Sequence, residues 1–227
     1  KYAANAFLAT KITFMNEIAN FCDRVGANVD AVRQGVGSDS RIGSRFLFPG
    51  IGFGGSCFPK DIKALKKSGQ EVNLQFSILE SVIDVNEQQK TVLFSKIKAY
   101  FNNQLAGKKI AVWGLAFKPD TDDIRKAPAL EMIHKLLSEK AVVTAFDPEA
   151  MPNVKKELGN SIAYAATKED ALKDADALLI CTEWEEFKTA DTAIFKSRMH
   201  TPVIFDGRNI FNPKTMKKNK TTYFSVG

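Results

Sequence analysis

The stretch that most constrains this chain is Gly50-Ile-Gly-Phe-Gly-Gly-Ser-Cys57-Phe-Pro-Lys-Asp61, in which four glycines precede a cysteine. Glycine admits left-handed backbone and close approaches that other residues do not, so this stretch predicts main chain pressed against a bound ligand. Proline and aspartate suit a first helical turn, so Pro59 and Asp61 predict a helix that begins directly after the thiol.

Cys57 would then lie at the positive end of a helix dipole and near Lys60, and both favour the nucleophilic thiolate. Most free cysteines are small buried hydrophobes instead, and Cys22 and Cys181 are predicted to be of that kind. The glycines and charges around Cys57 favour a nucleophile there. Asp61 is either a first-turn partner of the helix dipole or a group that orients water or accepts a proton.

Composition predicts a globular protein of two domains, because the chain has 227 residues and 26% of them are charged. No apolar run is long enough for a membrane span, and no signal peptide opens the chain. Three irregularly spaced cysteines form neither a disulfide framework nor a metal site, so a reducing cytoplasm is expected. The net charge of +6 is spread among 26 acidic residues, which suits an anionic small molecule and does not require nucleic acid.

The first half is helical in its pattern. Apolar residues at three- and four-residue steps predict one buried stripe on a helix from residue 2 to 24, made of Ala4, Phe7, Leu8, Ile12, Met15, Ile18, Ala19 and Cys22. Lys1 and Asn5 are four apart and share a helical face. The glycine- and aromatic-rich segment from 35 to 60 is predicted to be a binding loop. The periodic segment 74–101 predicts a long helix that forms the spine between domains or pairs with a second subunit.

The second half alternates buried strand and helix patterns, which predicts a Rossmann-like parallel sheet from residue 104 to 227 after a helical domain from 1 to 103. Ligands of such sheets bind at the carboxyl ends of the strands, where 114–125, 147, 182–184 and 206–208 should share one rim. The first strand turn has only one glycine of the dinucleotide fingerprint. The rim therefore favours another phosphorylated group, with Lys118, Arg125 and Arg208 as anion partners.

These blocks closely resemble one family, the nucleotide-sugar 6-dehydrogenases. The matching motifs are Lys1-Tyr-Ala-Ala-Asn5, Arg41-Ile-Gly, Gly54-Gly-Ser-Cys57-Phe-Pro-Lys-Asp61, Gly114-Leu-Ala-Phe-Lys-Pro-Asp and Phe205-Asp-Gly-Arg208. The resemblance extends across essentially the whole chain. It implies a helical central domain and a UDP-binding domain, and it implies that the family's N-terminal domain with the main NAD site is absent from these residues.

By this resemblance the enzyme removes two hydrides with NAD, and Cys57 holds the sugar C6 first as a thiohemiacetal and then as a thioester. Lys1 and Asn5 would stabilise negative charge at C6, and Asp61 would assist water or proton transfer. Arg125 would reach the NAD pyrophosphate. The implied substrate-binding residues are Arg41, acting on a neighbouring subunit's substrate, and Phe46, Leu47, Phe48, Pro49, Gly50, Phe53, Gly54, Lys118 and Arg208.

Within the family, Ser56 and the Arg41-Ile-Gly block look more like the branch that acts on UDP-glucose. Branches that act on GDP-mannose or UDP-N-acetyl sugars remain alternatives, as does a UDP-sugar-binding or dimerisation module without catalysis. The resemblance also implies a homodimer through the 74–101 helix, with UDP-sugar as the partner ligand and neither nucleic acid nor membrane as a partner. The chain by itself is expected not to turn over substrate.

Overall fold

A computed structural model describes residues 1–227, and its first half is helical. The five helices are α1 Tyr2–Val25, α2 Val29–Ser38, α3 Phe58–Glu71, α4 Ser77–Gln89 and α5 Val92–Tyr100. Gly26 ends α1 in the left-handed conformation at φ 70°, which glycine adopts without strain. Asn28 then caps α2, since its side-chain oxygen accepts from the Ala31 N–H at 2.9 Å. No helix combines the length and apolar character needed to cross a membrane.

The second half is a six-stranded sheet in the order β3-β2-β1-β4-β5-β6, with every pair parallel. The strands are β1 Lys109–Trp113, β2 Val142–Phe146, β3 Ala163–Tyr164, β4 Ala177–Ile180, β5 Val203–Asp206 and β6 Thr222–Phe224. The helices are α6 Pro128–Ser138, α7 Met151–Leu158, α8 Lys168–Ala171, α9 Glu185–Lys188, α10 Ala193–Arg198 and α11 Pro213–Lys218. This strand order is that of a doubly wound Rossmann sheet, so the predicted fold class is confirmed.

The continuous helix predicted over 74–101 is wrong, because α4 ends at Gln89 and α5 begins at Val92. Thr91 lies between them at φ −119°, outside the helical region. Its hydroxyl donates to the Gln88 carbonyl at 3.3 Å, a local bond of the kind that competes with helix propagation. Gln89 and Lys90, just before the break, are both buried.

The buried stripe predicted for α1 is partly wrong. Met15, Ala19 and Cys22 are buried as predicted, whereas Phe7 is 67% exposed. Phe14 and Phe21 are 53% and 62% exposed, so phenylalanines at seven-residue steps lie together on the outer face. Small residues occupy the inner face and let α3 and α4 pack closely against α1.

The two halves share one hydrophobic core, which runs from α1 through α5 to the sheet. Polar contacts also join them: the Lys98 ammonium lies 2.6 Å from the carboxylate of Glu139, which directly follows α6. The chain's last residues pack back onto the helical half, since Gly227 lies against Ala19 and Val29. Residues 101–108 connect α5 to β1, and the predicted domain boundary at residue 103 stays a prediction.

Candidate active site

The glycine-rich loop that precedes Cys57 is buried between the helices and the sheet. A Cβ on Gly54 would lie 2.2 Å from the Lys126 carbonyl oxygen, and one on Gly55 would lie 2.7 Å from the Phe117 ring. The Gly55 N–H donates to the Arg125 carbonyl at 2.8 Å. The glycines were predicted to press against a bound ligand, but Gly54 and Gly55 make their close approaches to the protein itself, at Phe117 and at the backbone of 125–127. These contacts fix the position of the loop that carries the thiol.

Cys57 is exposed and occupies the N-cap position of α3, directly before the first helical residue, Phe58. Its neighbour Ser56 places a hydroxyl 3.8 Å from the Cys57 Sγ. The predicted helix after the thiol is confirmed, so the sulfur lies at the positive end of a 14-residue helix. Cys22 and Cys181 are buried as predicted, and burial raises the pKa of Cys181 to about 12.

One turn into α3, Asp61 is completely buried and paired with α1. The Asn5 side-chain amide donates to Asp61 Oδ2 at 2.7 Å, so two predicted catalytic residues from separate helices are in contact. The other oxygen, Oδ1, accepts no hydrogen bond, and the Lys60 ammonium lies 3.8 Å from it. A buried carboxylate with one unoccupied oxygen can accept a hydrogen bond from water or from a reacting group.

Lys1 lies one turn before Asn5, and its carbonyl accepts from the Asn5 backbone N–H at 3.0 Å. The Lys1 side chain is exposed and makes no ion pair with Asp61. The shared helical face predicted for these residues is therefore present, with Asn5 turned toward the carboxylate and Lys1 toward solvent.

The predicted rim at the carboxyl ends of the strands exists and is organised by Asp147. One carboxylate oxygen accepts from the backbone N–H groups of Leu115 and Ala116 at 2.7 and 3.1 Å, and from the Trp184 indole at 3.1 Å. The other accepts from two backbone N–H groups after β2, at Glu149 and Ala150. Asp147 thereby joins the loops that follow β1, β2 and β4.

Arg208, after β5, links this rim to the glycine-rich loop before Cys57, residues 50–56, which is the thiol loop. Its guanidinium donates to the Cys181 carbonyl at 2.8 Å and to the Gly52 carbonyl at 3.2 Å, and it lies 3.2 Å from the Glu183 carboxylate. The Nη2 atom is buried without a hydrogen-bond partner. The carboxylate of Asp206 accepts four hydrogen bonds, which oppose the rise of its pKa that burial causes.

Arg125 is exposed beside a basic cleft of about 520 Å³ next to Ser56. The cleft is also lined by Lys60, Lys63 and Lys126. The hydrogen bonds that the Arg125 guanidinium donates to the Asp123 carboxylate raise the pKa of Arg125, with a smaller contribution from the nearby Cys57. An exposed guanidinium among lysines can bind an anion next to the thiol.

The other predicted binding residues fall into two groups. Leu47, Pro49, Gly50, Phe53 and Gly54 are buried within the loop, whereas Phe46, Phe48, Lys118 and Arg41 are exposed. Phe48 stacks under the Arg33 guanidinium at 4.5 Å, and Lys118 lies 5.6 Å from the Phe117 ring. Arg41 pairs with Asp39 at 2.6 Å on the outer surface. The three predicted anion partners do not form one cluster, because Arg208 points inward under the loop.

Sequence reasoning missed three buried amides that hold the thiol loop, Asn16, Asn86 and Gln89. Asn16 accepts from the Gly50 N–H at 2.8 Å, and Gln89 donates to the Gly50 carbonyl at 2.8 Å. Polar residues at positions 16, 86 and 89 inside otherwise apolar helical stripes were the available signal. Nothing in that signal identifies a loop as their partner.

Two family models match this chain. The central domain of the UDP-glucose/GDP-mannose dehydrogenase family matches residues 1–88, and the UDP binding domain of the same family matches residues 111–213. The UDP-glucose 6-dehydrogenase TuaD of Bacillus subtilis is 47% identical over the whole chain, which covers 49% of that relative.

Solved structures agree with these matches. A UDP-glucose dehydrogenase of Pyrobaculum islandicum superposes over the whole chain with a TM-score of 0.87 at 34% identity, and the chain covers 49% of it. A UDP-D-ManNAc dehydrogenase of Pyrococcus horikoshii superposes with a TM-score of 0.83 at 26% identity, again over the whole chain and 50% of the neighbour. The chain spans about half the length of the relatives it matches.

Proposed function

We propose, since the chain belongs to the UDP-glucose/GDP-mannose dehydrogenase family, that it forms part of an NAD-dependent enzyme that oxidises UDP-glucose to UDP-glucuronate. The observation that carries this proposal is the grouping at the start of α3. Cys57 is exposed at the helix N-terminus, and Asp61, one turn later, is buried against Asn5. A nucleophile next to a buried carboxylate–amide pair suits acyl chemistry at a sugar carbon.

In the proposed reaction NAD, when bound, would accept each of the two hydrides that leave C6, and the C6 hydroxyl proton lost with the first hydride would pass to solvent water. The Cys57 thiolate adds to the C6 aldehyde, which forms a carbon–sulfur bond and places negative charge on the oxygen. The Asn5 amide and the Lys1 ammonium stabilise that charge. After the second hydride leaves, water adds to the thioester and Asp61 takes one of the water's protons. The carbon–sulfur bond then breaks to release the thiolate and the carboxylic acid, which loses its proton to solvent to give the carboxylate.

The residues of the basic cleft fit the pyrophosphate of NAD. The Nε and Nη2 atoms of Arg125 donate to the Asp123 carboxylate, and Nη1 makes no bond to it. Three lysines line the same cleft beside Ser56. A guanidinium with a free donor can hold a phosphate oxygen, and the lysines supply further positive charge. Arg125 would thus hold the cofactor next to the reacting thiol.

The substrate proposal is UDP-glucose, with GDP-mannose and UDP-N-acetyl sugars as the alternatives. It is supported by the 47% identity to a UDP-glucose 6-dehydrogenase over the whole chain. The UDP end would lie along the sheet rim, near Lys118 and the buried Nη2 atom of Arg208, which has no partner within the protein. Phe46, Phe48 and Phe53 would border the sugar.

We also propose a homodimer, and the structure favours the outer face of α1 for it rather than the segment 74–101. Phe7 and Phe14 line an open groove of about 310 Å³ together with Arg41 and Ile42. An apolar face of this kind on one helix is typical of a subunit interface. In that arrangement Arg41 would extend toward the second subunit.

Phe14→Glu should convert a dimer to a monomer in sedimentation velocity, because it places a charge in the apolar face. A variant that stays dimeric would show that the outer face of α1 is not the dimer interface.

Calorimetry with UDP-glucose, GDP-mannose and UDP-N-acetylglucosamine tests the substrate proposal at low salt. We expect preferential binding of UDP-glucose by the 227-residue chain and by its Cys57→Ala variant, because the thiol acts in chemistry and not in binding. Tighter binding of another sugar nucleotide would reassign the substrate. We expect no turnover from these residues alone, because no strand of the sheet leads into a G-x-G-x-x-G loop, and the one stretch with that glycine spacing, Gly50 to Gly55, follows no strand.

Thiol labelling tests the nucleophile. At pH 7, iodoacetamide should modify Cys57 at least about a hundredfold faster than Cys22 and Cys181, because both of those are buried and react only when the chain opens. A C6 aldehyde of UDP-glucose should protect Cys57 through reversible thiohemiacetal formation. A chain that binds UDP-glucose but gains no protection from the aldehyde would be a binding module without catalysis.

A further inference from the structure

The loop at residues 50–53 lies inside the protein without belonging to a helix or a strand. Buried backbone N–H and C=O groups must find partners, and regular structure normally supplies them. Here side chains supply most of them. The Asn16 side chain accepts from the Gly50 N–H, and the Gln89 side chain donates to the Gly50 C=O. The Arg208 guanidinium donates to the Gly52 C=O.

Asn86 makes the most specific of these contacts. Its Oδ1 accepts from the Phe53 N–H at 2.9 Å, and its Nδ2 donates to the Phe53 carbonyl at 3.1 Å. A side-chain amide is the neutral group that can donate and accept in one plane, so it matches both polar groups of a single residue. Asn86 is buried, and its oxygen would lie 3.0 Å from a Cβ at Gly52, so the loop is held tightly on it.

Phe53 connects this contact to the thiol. Its ring packs edge-on against Phe58, with the ring centroids 5.7 Å apart. Phe58 is the first residue of α3 and directly follows Cys57. The backbone position of Phe53 therefore influences where α3 begins and where the sulfur lies.

We propose that Asn86 is a positioning residue for Cys57: its double hydrogen bond to Phe53 holds the loop in the one register that presents the thiol to C6 of the sugar. Gln89 and Asn16 support the same register at Gly50. The inference rests on the proposed function only for the role of Cys57, because the contacts themselves are independent of it.

The chain offers a matched control in Asn209. Its side chain makes the same two bonds to one residue, accepting from the Val226 N–H at 3.0 Å and donating to the Val226 carbonyl at 2.9 Å. It holds the end of the chain and has no hydrogen bond to the thiol loop. Asn86→Asp and Asn209→Asp thus remove the same chemistry from two different segments.

In the aspartate variants, lowering the pH should restore the two hydrogen bonds of the amide. A protonated carboxyl group donates one hydrogen bond and accepts another, so it imitates the amide, whereas an ionised one cannot donate. Burial raises the pKa of the introduced carboxyl above the ordinary aspartate value of about 4, and the nearby Lys90 ammonium, which opposes that rise, is paired with Glu87 at 2.9 Å. Hydrogen exchange of residues 52–55 in Asn86→Asp should match wild type at pH 5 and lose about tenfold or more in protection at pH 8. Asn209→Asp should keep those residues protected at both pH values.

The second measurement is protection of Cys57 by the C6 aldehyde of UDP-glucose, read with dithiodipyridine, which reacts with thiols at both pH values. Asn86→Asp should lose at least about fivefold in protection at pH 8 and recover it at pH 5, and Asn209→Asp should behave as wild type. Equal loss in both variants, or unchanged exchange in Asn86→Asp, would overturn the proposal. A wild-type chain that the aldehyde does not protect would refute the proposed function, whereas the exchange comparison still decides the role of Asn86.

Discussion

The sheet rim and the thiol loop are both buried irregular segments, and they are held in opposite ways. The rim is held by carboxylates at the carboxyl ends of strands: Asp147, directly after β2, accepts five hydrogen bonds, and Asp206, the last residue of β5, accepts four. The thiol loop is held by amides and a guanidinium from distant helices and loops. Asn86 and Gln89 lie 33 and 39 residues from the groups they bind.

The difference follows from what each segment has to satisfy. Loops that leave the carboxyl ends of parallel strands point their N–H groups toward one place, and a carboxylate accepts several of them. The loop before Cys57 exposes both N–H and C=O groups to the interior, so an acceptor alone does not suffice. Amides satisfy both, but they must come from outside the loop.

The largest expected effect is at the rim. Asp147→Ala should lower the free energy of unfolding by about 4 kcal/mol or more, because five donors, four of them buried, lose their acceptor together. Asp147→Asn, which keeps one acceptor oxygen, should cost about half as much. Urea unfolding measures both, and a loss below about 2 kcal/mol in the alanine variant would show that the loops hold their places without the carboxylate.

Gly54→Ala tests how rigidly the thiol loop is placed. The new methyl group would meet the Lys126 carbonyl at 2.2 Å, and backbone cannot move aside cheaply, so we expect a loss of about 2–3 kcal/mol together with loss of aldehyde protection at Cys57. Gly35→Ala is the control, because its Cβ meets nothing within 4 Å inside α2 and should add up to about 1 kcal/mol of stability. A neutral Gly54→Ala would show that the loop can shift freely.

The sheet was predictable because its signals are local. Apolar runs ending at Gly114, Asp147 and Asp206 mark strand ends, and the parallel pattern places those ends on one edge. The helix after Cys57 was equally local, since Pro59 and Asp61 mark its first turn. The family motifs grouped Asn5, Asp61 and Cys57, and the structure places the first two in contact.

The features that escaped prediction depend on tertiary contacts. The break at Thr91 interrupts a continuous apolar period, and the buried Gln89 just before it donates to the Gly50 carbonyl of the loop, a contact that the period does not show. Phe7 of α1 was predicted to be core by its spacing, yet it lies outward with Phe14 and Phe21 because small residues fill the inner face. Periodicity shows that a helix has faces, but packing decides which face is covered.

Cys181 at the rim makes the stability of the protein depend on alkaline pH. Burial raises the pKa of its thiol from the ordinary 9.0 to about 12. A thiol that keeps its proton only when folded stabilises the protein below pH 9, and that contribution is lost as pH rises toward 12. Between pH 7.5 and 10.5 wild type should therefore lose about 2 kcal/mol more than Cys181→Ala. Parallel urea curves for both proteins measure this, and equal losses would mean that solvent reaches the thiol.

The smallest effect is expected where the rim loop meets the thiol loop, at the fork between Asp123 and Arg125. Hydrogen bonds from Arg125 lower the pKa of Asp123, so the fork stabilises the fold above the ordinary pKa of 3.8 and is lost as pH falls through the lowered value. Asp123→Asn should reduce stability only slightly at pH 6, because Arg125 is exposed and water screens the pair, and the two proteins should converge below pH 3. Since Gly55 is held by the Arg125 carbonyl and not by its side chain, hydrogen exchange at Gly55 should not change. Faster exchange there would mean that the charged fork, and not the backbone contact, fixes the end of the loop.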